Sequence, residues 1–91
     1  MEQLASLLLH SRTQAHTFHF GVKGIGSHSA HIALGEYYSE IGEIIDGLVE
    51  SYQGKYGIIR GYSSPATFRE DDDTIKYFEG LVKYVELDNH S

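Results

Sequence analysis

Apolar residues recur every three or four positions through most of this chain, and that spacing predicts three helices. The first runs from about residue 3 to 22, with Leu4, Leu7, Leu8, Ser11, Ala15, Phe18 and Val22 on one face. Lys23-Gly24-Ile25-Gly26 ends it, since two glycines supply a C-cap and a turn. Ser27 then offers an N-cap for a second helix over about residues 28–53. Its predicted core stripe is Leu34, Tyr37, Ile41, Ile44, Ile45, Leu48 and Tyr52. A third helix over about residues 72–87 carries Ile75, Phe78, Val82 and Val85 on one face. The acidic run Glu70-Asp71-Asp72-Asp73 stands at its start, where the helix dipole favours carboxylates. The predicted loop over residues 54–70 is long for a bundle connection, and its tyrosines, Ile58 and Ile59 predict that it is ordered.

The fold class is therefore all-α, with residues 1–91 as one helical domain. Three such helices make a thin bundle, and a second chain is the expected way to bury enough surface. The second helix also carries Gly35, Gly42 and Gly47, each unfavourable by about 1 kcal/mol against alanine in a helix interior. Gly35 and Gly42 are seven residues apart and share a face. They predict close packing, either within the chain or between subunits.

Composition narrows the functions. Lys+Arg 7 against Asp+Glu 13 leaves a net charge of −6, which argues against nucleic acid as a partner. There is no cysteine, so disulfides and thiolate metal sites are excluded, and a reducing cytoplasm is the expected compartment. Met1-Glu2-Gln3 has no basic leader region, and Leu7-Leu8-Leu9 is too short for a signal or a membrane span. P-loop and G-x-S-x-G patterns are lacking, so neither motif points to an enzyme.

Two inventories remain. Arg12, His16, His19 and Lys23 form one polar stripe on the first helix. With His28, and with Lys55, Tyr56, Arg60 and Tyr62 from the long loop, they suit a nucleotide: cations for phosphate, rings for the base, imidazoles for ribose or phosphate. Glycines 54, 57 and 61 would let backbone N–H groups face an anion. The second inventory is His31, Asp46 and Glu50, all candidate metal ligands. His31 lies about four turns from Asp46, so one ion touching both needs more than one helix.

The stretch His19-Phe20-Gly21-Val22-Lys23-Gly24, followed by His31 and then Asp46 and Glu50, resembles the H-W-N-x-x-G … H … D-x-x-x-E pattern of Dps-type ferritin-like proteins. The likeness covers roughly residues 14–54. It implies a truncated ferritin-like bundle that assembles as an oligomer. It also implies an inter-subunit iron or zinc site made by His19 and His31 of one subunit with Asp46 and Glu50 of its mate. The family's further carboxylate, one turn after the second histidine, is replaced by Gly35, and the usual tryptophan is Phe20. The fourth bundle helix and a lysine-rich tail are also missing, so at most weak ferroxidase chemistry is expected. The closest likeness is to short Dps-like proteins of bacteriophages. In that setting the expected function is sequestration of a nucleotide-type host signal, a cyclic nucleotide or ADP-ribose derivative, in the host cytoplasm without catalysis or cofactor.

Overall fold

A computed structural model describes residues 1–22, 27–64, 67–69 and 74–90. Three helices make up most of it: α1 (Glu2–Gly21), α2 (Ser27–Tyr56) and α3 (Thr74–His90). Among the described residues there is no strand, as the 3–4 periodicity requires. Lys23, Gly24, Gly26, the side chain of Ser27 and the acidic run 70–73 lie outside the described residues.

α1 and α2 form an antiparallel hairpin. Ser11 meets Tyr37, Arg12 meets Tyr38 and His19 meets His31, so numbers fall on one helix as they rise on the other. The core is small: Ala15, Phe18 and Leu34 are buried, with Val22, Tyr37, Tyr38, Tyr77 and Phe78 packed around them. α3 lies on this hairpin through one side of the helix, where Thr74, Tyr77, Phe78, Leu81 and Val85 are half-buried.

The seven-residue glycine spacing is explained within the chain. A Cβ on Gly42 would lie 3.0 Å from Arg12 Nε, and one on Gly35 would lie 3.2 Å from His19 Cε1. Arg12 and His19 are also seven residues apart, so two large α1 side chains cross α2 where α2 has none. Gly47 meets nothing within 4 Å and has no such role.

Besides α3 running to His90, three residues past its predicted end, and Ile44 of the predicted α2 core stripe lying 59% exposed, two expectations change. α2 runs on to Tyr56, three residues beyond the predicted end, because Gly54 continues the helix and Gly57 stops it. Gly57 adopts a left-handed φ of 96°, and its N–H donates to the Gln53 carbonyl at 2.9 Å, closing the helix. The second change concerns α1. Ser11, Ala15 and Phe18 of its predicted stripe are buried, but so are His10, Gln14 and Ser6 beside them. α1 thus has an uncharged polar face that is covered, in addition to the apolar one.

Candidate functional site

The covered polar face of α1 anchors the chain that leaves α2. Ser6 Oγ accepts from the Ser63 N–H at 3.1 Å. The Gln14 amide pairs with the Arg69 backbone in both directions: Arg69 N–H donates to Oε1 at 2.6 Å and Nε2 donates to Arg69 O at 3.0 Å. Its second Nε2 hydrogen goes to Thr17 Oγ1 at 2.9 Å, so the amide orientation is set by its partners. His10 stacks on Phe68, ring centres 4.6 Å apart, and its Nδ1 shares a 2.7 Å hydrogen bond with the Tyr77 hydroxyl. Every buried side-chain nitrogen or oxygen among the described residues has a partner, so this polar face is a completed network.

Between α1 and this segment lies an open cleft of about 350 Å³. Its α1 wall includes Ser6, His10 and Thr13, and its other wall includes Tyr62, Ser63 and Phe68. Gly61, at a left-handed φ of 86°, precedes Tyr62 and turns the chain back along Glu2. Buried Ile59 pins the segment on the other side, its N–H donating to Gln53 Oε1 at 3.0 Å. Of the residues expected to bind a ligand, Tyr62 is the one that lines this cleft. Ser6, His10, Thr13 and Phe68 were missed by sequence reasoning. The available signal was a helix face with hydrogen-bonding residues at 6, 10, 13, 14 and 17 and no charge, whereas α2 lines its outer face with glutamates.

The histidine cluster occupies a different side of α1. His16 stacks on Tyr38 at 4.3 Å and tilts against Phe20 at 4.4 Å. His19 and His31 stack with ring centres 3.6 Å apart and planes 21° from parallel. Each donates its Nδ1–H to the backbone carbonyl of the other, at 2.8 and 3.1 Å. A carbonyl only accepts, so both rings carry the Nδ1 proton and keep Nε2 for another partner. Arg12 Nε donates to the Tyr38 carbonyl at 3.1 Å, and the arginine lines a recess together with Glu43 and Asp46. Two carboxylates beside it make that recess a poor place for a phosphate.

The remaining expected residues are dispersed. His28 is exposed in the first turn of α2, and Lys23 is outside the described residues. Lys55 lies 24 residues beyond His31 on the same helix, about 36 Å away at 1.5 Å per residue. Lys55 sits over the exposed Tyr56 ring at 5.4 Å, and Arg60 is exposed nearby in sequence. One small ligand therefore spans either the His16–His19 end or the Lys55–Tyr62 end of one chain. The metal set is divided in the same way. Asp46 is about 22 Å along α2 from His31, and no group of three acidic, cysteine or histidine side chains suited to a metal forms among the described residues. Two nearly parallel imidazole planes 3.6 Å apart also share no in-plane position for one ion.

Burial raises the pKa of two tyrosines. Desolvation pushes Tyr77 up to about 12, with the Tyr37 phenol adding to the rise and Arg69 opposing it. Tyr37 is also raised by burial, against a lowering by its hydrogen bond with Ser11. For a phenol raised on folding, stability is full below the unfolded pKa of about 10 and falls as pH climbs towards the folded value. Urea midpoints are expected to hold up to about pH 10 and to drop between about pH 10 and 12. Tyr77→Phe is expected to flatten much of that drop, read together with tyrosinate absorbance.

Comparison with known proteins adds one match. A model described as a family of unknown function, DUF5856, matches residues 24–91, which hold α2, the connection and α3. The chain belongs to this family. No curated protein and no solved structure matches the chain. In this DUF5856 member the cleft takes Tyr62, Ser63, Ser64 and Phe68 from the matched region and its other wall from α1, which precedes it. No helix among the described residues is long and apolar enough to cross a membrane.

Proposed function

We propose that this protein is an oligomeric, non-catalytic ligand-binding module that takes a nucleotide-type molecule in the cleft between α1 and the Tyr62–Phe68 segment. The observation that carries this reading is the lining of the cleft, which sets the rings of Tyr62, His10 and Phe68 among the hydroxyls of Ser6, Thr13, Ser63 and Ser64. Rings suit the face of a base and hydroxyls suit a ribose. Arg60 is exposed two residues before Tyr62, outside the cleft lining, and would have to reach in to meet a phosphate. The volume of about 350 Å³ falls at the small end of ligand sites. His10 Nδ1 is engaged by Tyr77 and Ser6 Oγ by the Ser63 N–H. Both hold the walls in place, which suits a receptor that binds without reacting.

The likeness of the hairpin to short phage Dps-like proteins gives this reading its setting: sequestration of a host signal such as a cyclic nucleotide or an ADP-ribose derivative, in the host cytoplasm. A second reading, an inter-subunit iron or zinc site with weak ferroxidase activity, draws on one observation. The Nδ1–H bonds of His19 and His31 leave both Nε2 atoms for coordination. It needs ring rotation and a mate that brings Asp46 and Glu50. The nucleotide reading is favoured because its lining is already assembled in one chain.

Native mass spectrometry of the purified protein, followed by calorimetry with cyclic and ADP-ribose nucleotides, separates the two. The expected result is a nucleotide-sized adduct or a heat of binding that Tyr62→Ala reduces at least tenfold. Stoichiometric iron or zinc lost in His31→Ala, with no heat from any nucleotide, would replace the first reading by the second.

A further inference from the structure

The cleft between α1 and the Tyr62–Phe68 segment offers rings and hydroxyls, and none of the described residues that line it is Asp, Glu, Lys or Arg. Leu9 adds an apolar side chain to the same wall as Ser6 and Thr13. His10 is 6% exposed and fixed there by the Phe68 stack and the Tyr77 hydroxyl. Thr13 and Tyr62 are exposed, so each wall has an accessible hydroxyl-bearing residue.

Both arginines of the segment stand outside this lining. Arg60 is exposed beyond it, and the Arg69 guanidinium lies over the Tyr77 ring at 5.6 Å. At the Tyr62 end, a Cβ on Gly61 would lie 4.0 Å from Glu2 Cγ, and the Glu2 carboxylate is 3.5 Å from the N-terminal ammonium. That pair brings no net positive charge to the cleft. The Ser63 N–H is already taken by Ser6 Oγ. A phosphate that left water here would meet no cation to replace its hydration, which is unfavourable. A base and its ribose carry no charge, and they present a ring face and hydroxyls to walls of the same kind.

We infer that the cleft recognises the nucleoside end of its ligand and leaves the phosphate in water at the open mouth. This rests on the nucleotide reading proposed above. Base and sugar then define the ligand class, and a nucleoside binds as well as its phosphate ester. The volume agrees, since about 350 Å³ stands near the lower limit of small-molecule sites and suits one base with its ribose.

Calorimetry of the full chain with adenosine, guanosine, cytidine and uridine, each beside its monophosphate, at low and high salt, tests it. At least one nucleoside is expected to bind, with its monophosphate within about threefold of it and neither affinity changing more than about twofold with salt. Tyr62→Ala is expected to weaken both by the same factor, about tenfold or more, because the ring acts on the part they share. Tyr62 is 46% exposed, so the variant is expected to keep the circular dichroism of wild type. A phosphorylated ligand that binds at least about tenfold tighter than its nucleoside overturns the inference and leaves the nucleotide reading in place. Nucleoside binding that Tyr62→Ala leaves unchanged puts the site elsewhere and overturns both. So does the absence of heat from every nucleoside and nucleotide.

Discussion

Phe18→Ala is expected to destabilise the protein by about 3–5 kcal/mol, the range for deleting a buried aromatic ring. Phe18 is 6% exposed and sits at the junction of all three helices. It meets the Tyr77 ring edge-on at 6.0 Å and packs with Ala15 and Leu34. With so few buried apolar residues, little else can collapse into the space it leaves. A chain of 91 residues has a total stability of about 5–14 kcal/mol, so this one ring accounts for a large share. Urea unfolding followed by circular dichroism should show the midpoint falling with the slope preserved. Phe20→Ala is the internal control. Phe20 is the same residue two positions on, yet 72% exposed, and its removal is expected to cost less than about 0.5 kcal/mol. Equal losses at the two positions would contradict the burial pattern described above.

Gln14→Leu is expected to cost about 2–3 kcal/mol although it keeps the size of the side chain. Gln14 is fully buried and serves both the N–H and the C=O of Arg69. Leucine removes both of these hydrogen bonds, and a backbone group that stays dry and unsatisfied costs about 1–3 kcal/mol. The segment can escape part of that by swinging into water, which predicts where the loss is felt. Amide exchange should show the Arg69 N–H losing its protection, and limited proteolysis should cut within residues 57–69 before the α1–α2 hairpin. Because Phe68 and Tyr62 ride on this segment, nucleotide binding should fall with it. A Gln14→Leu protein as stable as wild type, with Arg69 still protected, would mean the segment is held by other contacts.

These two positions differ in how visible they are before folding. Phe18 belongs to an apolar stripe whose period of three to four residues places it inside any helix packing built on that face. Gln14 belongs to no such stripe, and hydrogen-bonding partners 55 residues away leave no trace in local spacing. The glycines fall between these cases. Their seven-residue interval announced a close approach, but whether a backbone, a side chain or a second subunit made it depended on the register between α1 and α2. That register puts Arg12 over Gly42 and His19 over Gly35. At Gly35 the His19 ring lies against the space that any side chain would enter.

The candidate site shows the same division. Histidines 16, 19 and 31 drew notice as chemistry-bearing residues, and the structure gathers them, but stacked on Tyr38 and on each other. The loop cations and tyrosines drew notice as well. α2 is one uninterrupted 30-residue helix, which carries Lys55 and Tyr56 far from those histidines. The cleft itself was not legible, because half of its lining looks like an ordinary solvated face of α1.

By itself, then, the sequence determined an all-helical chain of three helices, their approximate limits and their apolar faces, since each rests on interactions within a few residues. Only the tertiary structure decided which polar face of α1 is covered and which residues share a cleft. Those outcomes depend on the rotation and register of one helix against another, and distant parts of the chain set them together.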